Sequence, residues 1–492
     1  IINSVDSSED TLFAFGSRSI PFENDIPIPV DSSVNMSQAE PQYQLQFGKR
    51  LFADNIAPVI KKIVWASGTV FDRYDDMDED LYSKNYYVMT NPVTDGGYRH
   101  VFKCLKNGGG AICIEKPDLL QTKPFEKGDG YVWKYMYSIS QQQYDKFATS
   151  LYIPVIANND IVSTALESSG IDDIVIETPG INYLTTHEGL IRAVVNSSCV
   201  QIDTSASPDN DYYNNSTIYM YNLISQTGQL REILKYDSNT SGKWCILKTE
   251  ANTAIITPGL TEYKISPTVR INGDGSEKAF AYSVCNSNGE ITEIKIINRG
   301  VGYSHAKTDI VANTAYGAGA LTRAIVPPLG GHASRSDAEL NIKGFAVYIQ
   351  FDGVETGNLP SFGSYSTIGI LRNLKTTANT TLKFMGNTFN QILKATISPP
   401  TIFNSGDVVY GSNSGAEGIV YHSNTSVIWL TGDKNFQNET IKSKSSNTST
   451  NIVINTKGDL YSKDLDVLYV YNSSQVTRVE TQKETFKFIV EI

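Results

Sequence analysis

The feature that most constrains this chain of 492 residues is a segment in which aromatic side chains occupy every second position. Residues 131–139 are YVWKYMYSI, and the turn Gly-Asp-Gly (128–130) precedes them. A period of two with aromatic and β-branched residues is typical of a β-strand. Residues 98–110, YRHVFKCLKNGGG, have the composition of a second strand that ends in a glycine turn. The stretch therefore predicts two strands joined by a loop rich in Gly, Lys and Pro, with one aromatic face packed against a core.

The composition favours a mainly β protein with several domains. Only 19% of the residues are charged, whereas Asn, Ser, Thr, Gly and Tyr are abundant. A chain of this length can bury a sizeable core. The net charge of −11 would repel a phosphate backbone, and no cluster of Lys or Arg offsets it, so we expect no binding to nucleic acid. No apolar run approaches the roughly 20 residues of a membrane helix, so we expect no membrane insertion.

The cysteines and the start of the chain give two further expectations. The five cysteines are odd in number and irregularly spaced, which favours free thiols in a reducing cytoplasm over a disulfide scaffold. These residues are Cys104, Cys113, Cys199, Cys245 and Cys285. The chain begins with Ile1 rather than Met, so we expect that further residues precede it in the gene product.

Several segments of the chain resemble a known family in the order in which they occur. The segments are INSVDSSEDTLFAFGSRSIPF (2–22), ADNIAPVIKKIVW (53–65), VFKCL (101–105) followed by GDGYVWKYMY (128–137), and DLDVLYVYNSSQVTRVETQKETFKFIVEI (464–492). Together they resemble the baseplate wedge protein encoded by the eighth baseplate gene of T-even-type contractile-tailed bacteriophages. The resemblance covers a little over half of the chain.

The resemblance implies a domain organisation and a set of partners. It implies a discontinuous wedge core formed by 1–155, 328–400 and 460–492, into which two β regions, 156–327 and 401–459, are inserted. It further implies a homodimer that binds other baseplate wedge proteins in the virion tail and is assembled in the host cytoplasm. It implies no cofactor. The roles of the two extra regions do not follow from the resemblance.

The first extra region contains an internal repeat. IDDIVIETPGINY (171–183) and ITEIKIINRGVGY (291–303) match at three isoleucines, at a glycine and at the final tyrosine. Each copy predicts an alternating strand, a glycine turn, and a tyrosine that covers the end of the strand. TPGLTEY (257–263) is a weaker third copy of the turn. Because such repeats bury their faces against neighbours, we expect one or two stacked β subdomains.

The second extra region predicts a small barrel. FNSGDVVYGSNSGAEGIVYHS (403–423) has short strand-like runs separated by glycine turns, and the module spans about 55 residues. KSKSSNTSTN (442–451) is polar throughout and predicts an exposed loop. Helices are sparse, and the best candidate is 37–56, with Ser37 as its cap, followed by a strand in VIKKIVW (59–65). The predicted fold class is mainly β, with sandwich and barrel-like modules.

An acidic run is the first candidate for chemistry. It comprises Asp72, Asp75, Asp76, Asp78, Glu79 and Asp80. An EF-hand loop that started at Asp76 would need Gly at its sixth position and Glu at its twelfth, where this chain has Leu81 and Tyr87. The pattern therefore favours a solvated acidic loop, and we expect no metal site.

The histidines and the serine motifs also fail to define a catalytic site. His100, His187, His305, His332 and His422 are far apart, and none has a Cys or His partner at zinc spacing. His332 lies close to Ser334 and Asp337, but a turn explains PPLGGHASRSD (327–337) more simply. The nearest match to a G-x-S-x-G elbow, Gly411–Gly415, has Asn413 in place of the nucleophile. We therefore expect no catalytic and no cofactor-binding residues.

Two alternatives to a structural subunit remain open. The tyrosine-rich repeats could bind a host glycan by stacking on sugar rings, which would make the chain a tail-associated binding protein. A tail depolymerase would need a pair of carboxylates, and the sequence singles out no such pair.

Overall fold

A computed structural model describes residues 10–24, 44–92, 96–313, 315–355, 358–376, 381–432, 435–461 and 465–491. Strands make up 49% of these described residues and helices 6%, so the predicted mainly β class with several modules is confirmed. Among the described residues, no helix is long and apolar enough to cross a bilayer.

The first half of the chain contains these strands in order: β1 (Leu12–Ser17), β2 (Leu45–Leu51), β3 (Ile56–Lys61), β4 (Tyr87–Thr90), β5 (Arg99–Asn107), β6 (Phe125–Glu126), β7 (Tyr131–Ile139), β8 (Tyr152–Pro154), β9 (Asp173–Ile181), β10 (His187–Leu190), β11 (Ala193–Asn196), β12 (Cys199–Gln201), β13 (Ser216–Asn222), β14 (Thr227–Asn239) and β15 (Gly242–Leu247).

The second half continues with these strands: β16 (Thr261–Gly273), β17 (Phe280–Cys285), β18 (Ile291–Asn298), β19 (Ala306–Val311), β20 (Ala318–Ile325), β21 (Gly344–Asp352), β22 (Ser364–Arg372), β23 (Thr388–Asn390), β24 (Leu393–Ser398), β25 (Val408–Gly411), β26 (Glu417–Ser423), β27 (Val427–Gly432), β28 (Thr440–Ser443), β29 (Ser449–Thr456), β30 (Asp466–Thr477) and β31 (Lys483–Glu491). The α-helices are α1 (Gln141–Phe147), α2 (Asn159–Ser163) and α3 (Ser336–Glu339). Short 3₁₀ helices span Ala53–Asn55, Leu81–Ser83 and Thr253–Ile255.

The chain divides into two compact units. The first unit is drawn from Ile1–Val59, Gln142–Pro154 and Lys343–Ile492, and the second from Ile60–Gln141 and Val155–Ile342. Strands β5 and β7 thus belong to the second unit and the C-terminal strand to the first. The units therefore group the predicted ranges differently, and the distinction between a wedge core and two inserted regions stays a prediction.

The first unit contains a β-sandwich. Its sheets have the strand orders β23-β2-β1-β22-β30 and β31-β21-β3-β8, and one hydrophobic core takes side chains from both. Phe351 is central to this core, with ring centroids 5.5 Å from Phe47 and 4.7 Å from Phe486. The C-terminal strand β31 belongs to this sandwich, and its Phe486 and Phe488 side chains are buried.

A closed six-stranded barrel, of order β24-β27-β26-β25-β28-β29, lies in the chain between the sandwich strands β23 and β30. It confirms the predicted barrel module, although it begins at Leu393 rather than near 401. The loop prediction for KSKSSNTSTN is confirmed for its middle, residues 444–448, and wrong for both of its ends. Both ends of that segment lie in the paired strands β28 and β29, where Ser443 and Thr450 are buried, and only its middle is a turn. The polar composition predicted a loop at these ends because it does not show that small hydroxyl side chains can be buried in the strands of a narrow barrel.

The predicted helix at 37–56 is also wrong where the structure describes it. Leu45–Leu51 forms β2, which pairs with β1 on one side and with β23 on the other; residues 37–43 lie outside the described part. A Cβ on Gly48 would lie 2.4 Å from the Phe389 ring and 2.7 Å from the carbonyl oxygen of Ala14. This close approach of neighbouring strands overrides the local helix signal. The strand predicted for 59–65 begins earlier, at Ile56, and ends at Lys61.

The second unit holds the remaining sheets. Its largest sheet runs β11-β12-β15-β14-β13-β16-β17-β18, with β10 and β19 also paired to β16. A separate sheet has the order β4-β5-β7-β6, so the two strands predicted from the aromatic stretch are present and pair directly. Both faces of β7 are buried rather than one, because Lys134 on the second face is also enclosed.

The two matching copies of the internal repeat share the same backbone turn and the same glycine–tyrosine contact. Gly180 and Gly300 have φ angles of 69° and 65°, and a Cβ on either would lie 2.6–2.7 Å from the ring of Tyr183 or Tyr303. Both tyrosines are buried, and their hydroxyls accept hydrogen bonds from backbone N–H groups of β20 (3.3 Å) and of Ala279, beside β17 (2.8 Å). Each glycine therefore lets a tyrosine ring close over the end of its strand.

The third copy of the repeat does not share this arrangement. Gly259 has a positive φ of 79°, but a Cβ there would meet open space. Tyr263 lies within the long strand β16 instead of capping a strand end. Only the backbone turn is common to all three copies.

Candidate functional site

The acidic run lies in the second unit, where four of its six carboxylates, those of Asp72, Asp75, Asp76 and Asp78, contact cations or backbone N–H groups. Arg323 donates to both oxygens of Asp75, at 2.9 and 2.7 Å, and lies 3.8 Å from Asp76. Burial alone would raise the pKa of Asp75, but the hydrogen bonds and charge of Arg323 hold it below its usual value. Asp78 pairs with Lys84. Across the described ranges, no group of three or more His, Cys, Asp or Glu residues is arranged to hold a metal ion.

The histidines outside the His332 region make separate contacts. His100 lies 2.7 Å from the Ser138 hydroxyl, and His187 stacks on Tyr213 with ring centroids 5.8 Å apart. The exposed His305 lies 3.4 Å from a carboxylate oxygen of Asp274. His422 packs against aromatic rings of the barrel region. These four histidines therefore do not form a common site.

The cysteines and the Gly411–Gly415 turn make contacts that stabilise the fold. The five cysteines are free thiols, and all except the half-buried Cys199 are buried. The turn Gly411–Gly415 uses its backbone to bind a carboxylate, since the N–H groups of Asn413 and Ser414 donate to Glu439 at 2.6 and 2.9 Å. Burial would raise the pKa of Glu439, but these hydrogen bonds and that of the Ser414 hydroxyl lower it to about 2.

A group of buried titratable side chains surrounds His332 in the second unit, and we call it the buried ionic cluster. It comprises Tyr74, Lys103, Asp172, His332 and Glu339. The ring nitrogen Nε2 of His332 lies 2.7 Å from Oδ2 of Asp172, and Nδ1 lies 3.0 Å from Nζ of Lys103. Lys103 also donates to Oε2 of Glu339 at 3.2 Å and stands 3.7 Å above the ring of Tyr74. Lys103 of β5 and Asp172 of the segment before β9, both far from His332 in sequence, thus meet at one imidazole.

The geometry fixes where one proton of the cluster lies. The Lys103 ammonium has only donors, so Nδ1 of His332 must accept when Lys103 is charged, and Nε2 then donates to Asp172. Burial lowers the pKa of Lys103 despite the nearby carboxylates. Burial would raise the pKa of Glu339, but the charge of Lys103 and contact with His332 lower it to about 2. The cluster thus joins one lysine and two acidic side chains around a single imidazole ring.

A second buried lysine lies on the neighbouring strand. Lys134 of β7 donates to the Ser168 hydroxyl at 2.9 Å and to the carbonyl oxygen of Thr122. Burial lowers its pKa to about 8. Burying an ammonium group removes it from water at a large cost in free energy, so each buried lysine needs well-placed hydrogen-bond acceptors.

The cluster has the residue types of an acid–base site but offers no access to a substrate. Lys103 and His332 are 0% exposed, Asp172 is 1% exposed and Glu339 is 8% exposed. A general acid or base must come within hydrogen-bonding reach of a reacting group. The sequence singled out His332 but not Lys103, Asp172 or Glu339, and no local pattern marks these three, because their contacts span more than 150 residues.

Comparisons with known proteins do not assign a family. No family model matches the chain, and no curated protein matches it significantly.

Proposed function

We propose that this chain is a structural subunit of the baseplate wedge of a contractile phage tail. The observation that supports this most is the burial of the titratable side chains around His332. His332 and Lys103 are enclosed where they stabilise the fold, and their atoms are out of reach of a substrate. A chain whose acid–base groups serve packing is suited to a structural role.

Exposed apolar side chains give a second line of support. Leu468 and Tyr471 of β30 are 47% and 52% exposed, and β30 pairs with β22 at one side of the sandwich sheet. On its other side, no described strand pairs with β30. A long edge strand with apolar side chains is a liability in an isolated protein and is usually covered. Assembly with neighbouring subunits is one way to cover it.

The proposed partners are a second copy of the chain and other wedge proteins, and the proposed location is the virion tail. The sequence segments that resemble the wedge family support this part of the proposal. The low content of charged residues suits broad interfaces built from hydroxyl and amide groups. The role needs no cofactor and no catalytic residue.

The tyrosine repeats give little support to host-glycan binding as the main role. Tyr183 and Tyr303 are 6% and 5% exposed, so their ring faces are covered by their own glycine turns. A sugar ring could not stack on either one without opening the repeat.

Labelling of intact particles tests the proposal. Antibody fragments raised against the recombinant chain should bind contractile-tailed virions at the end of the tail that is distal to the capsid, as seen by negative-stain microscopy. Pre-incubation of the fragments with free chain should abolish the label. Label on the capsid or along the tail tube, or none on disrupted baseplates, would refute the wedge assignment.

Sedimentation of the purified chain tests the dimer separately. A homodimer should have twice the 54.2 kDa mass of the chain at micromolar concentration. A monomer throughout that range would remove the dimer from the proposal but leave the wedge assignment to the labelling experiment.

A further inference from the structure

An open cleft lies on the sheet of the second unit, away from the buried ionic cluster. Its volume is about 400 Å³, within the range of small-ligand sites. Its lining residues come from β12, β14, β15 and the loop before β13, and they are Cys199, Asn210, Asp237, Ser238, Asn239, Trp244 and Ile246. We call it the Trp244 cleft.

The strand register brings one indole and one carboxylate side by side in this cleft. Trp244 of β15 is directly opposite Asp237 of β14, so both project from the same face of the sheet. Trp244 is half-buried, and both Trp244 and Asp237 line the cleft. A flat apolar ring therefore lies beside an acceptor that is reachable from solvent.

Two asparagine amides complete the polar rim. The side-chain oxygen of Asn210 accepts from the Ser238 N–H at 2.6 Å, and that of Asn239 accepts from the Ser241 N–H at 2.8 Å. Each contact uses the oxygen and leaves the amide N–H₂ group as a donor at the exposed rim. The rim thus offers donors and an acceptor in fixed places.

The loop that carries Asn210 is held in position before any ligand binds. Nζ of Lys243 and the hydroxyl of Tyr236 both donate to the carbonyl oxygen of Ser207, at 2.8 and 2.6 Å. A rim that is already ordered loses little conformational entropy on binding.

The charge of the cleft selects against ionic ligands. Lys235 lies 2.7 Å from Oδ1 of Asp237, and this contact raises the pKa of Lys235, so the pair is locally neutral. The chain as a whole carries a net charge of −11. Phosphorylated, sulfated or sialylated ligands would meet no free cation here and would be repelled by the global field.

We propose that the Trp244 cleft binds a neutral pyranose residue of a glycan. The C–H face of a pyranose ring matches the indole face, and its hydroxyls can donate to Asp237 and accept from the two asparagine amides. This inference goes beyond the proposed structural role and does not rest on it, since a glycan site could be present on a subunit of any extracellular assembly.

A glycan array with matched variants tests the site. The probes are tetrasaccharides of glucose, galactose, mannose, rhamnose and N-acetylglucosamine, with sialylated and phosphorylated oligosaccharides as the anionic arm. Asp237→Asn keeps the shape of the side chain but removes its charge, and Trp244→Ala removes the stacking face. Asp309→Asn is the control, because Lys307 and Asp309 form the same lysine–aspartate spacing on another strand, 3.8 Å apart, away from the cleft.

The expected result is selective binding of at least one neutral glycan by the unmodified chain and by Asp309→Asn. Asp237→Asn should bind it at least about tenfold more weakly, the loss expected for one charge-assisted hydrogen bond, and Trp244→Ala should bind below detection. Binding of no neutral glycan, equal binding by Asp237→Asn, or a preference for the anionic arm would each overturn the proposal. Asp237 is at the surface, so this variant decides the matter even if Trp244→Ala fails to fold. Free mannose or glucose competing with the array ligand would distinguish a monosaccharide site from one that needs an extended chain.

Discussion

Replacement of Lys103 by methionine should destabilise the second unit strongly. Methionine keeps most of the length and apolar volume of lysine, so the change removes the charge while avoiding a large cavity. In the variant, Glu339 loses its 3.2 Å partner and keeps a contact of 3.7 Å with His332 and a backbone N–H of Arg335 at 3.3 Å. Tyr74 loses the cation that stands 3.7 Å above its ring.

The magnitude follows from the burial of the pair. Removing one partner from a buried ion pair typically costs about 3–5 kcal/mol, because the remaining charge is left without water or a counter-ion. Lys103 is 0% exposed and Glu339 is 8% exposed, so solvent cannot take over the role of the ammonium. If that is the cause, neutralising Glu339 as well should relieve part of the penalty. The double variant Lys103→Met/Glu339→Gln should recover at least about 1 kcal/mol relative to Lys103→Met.

Urea unfolding followed by tryptophan fluorescence measures this loss. Trp65, Trp133 and Trp244 lie in the second unit, so the signal reports mainly on the unit that is perturbed. Lys307→Met is the control, since Lys307 is 80% exposed beside Asp309 and should change stability by less than about 0.5 kcal/mol. A Lys103→Met variant as stable as the control, or a double variant less stable than Lys103→Met, would refute the argument.

Three further changes test other parts of the structure. The pKa of Glu339 is lowered from 4.5 to about 2, so its contribution to the free energy of unfolding is complete above pH 4.5 and is lost as the pH falls towards 2. In Glu339→Gln, the free energy of unfolding measured in urea should therefore depend much less on pH across this window. Gly300→Ala should lower the free energy of unfolding by about 2–4 kcal/mol in the same assay, because its Cβ would lie 2.5 Å from the Glu277 carbonyl oxygen at a φ of 65°. Gly259→Ala, where the Cβ would meet open space, should cost about 1 kcal/mol. Equal costs for the two variants would contradict the packing argument. Removal of residues 484–492 should abolish soluble expression, because β31 supplies two buried phenylalanines to the sandwich core. A truncated chain that is soluble and unfolds cooperatively would show that this strand is dispensable.

The features that the sequence predicted well are those encoded within a short segment. The strand–glycine–tyrosine repeat needs only the spacing from Gly180 to Tyr183, and from Gly300 to Tyr303, to specify a left-handed turn covered by a ring. The aromatic alternation in β7 likewise specifies a strand without reference to its neighbours. The barrel was predicted from closely spaced glycine turns, which also act locally.

The features that the sequence failed to predict depend on contacts between distant segments. The helix expected at 37–56 is replaced by a strand where β1 and β23 supply pairing on both sides, and Gly48 permits the close approach. The two ends of the hydroxyl-rich segment 442–451 belong to barrel strands, where Ser443 and Thr450 are buried in a barrel that closes only when all six strands are present.

The buried ionic cluster shows the same limit most clearly. Alternation along β5 gives no reason to bury Lys103, and its partners His332 and Glu339 are 229 and 236 residues away. Burial of a lysine is tolerable only if a carboxylate and an acceptor arrive together, so neither segment carries the signal by itself. Once the sheet that contains β5 packs against the segment around α3, the charge of Lys103 offsets the cost of burying Glu339, and the charge of Glu339 offsets the cost of burying Lys103. Because a buried charge without its partner is strongly destabilising, any alignment that separates Lys103 from Glu339 is disfavoured, and the cluster in this way favours the observed pairing of these segments.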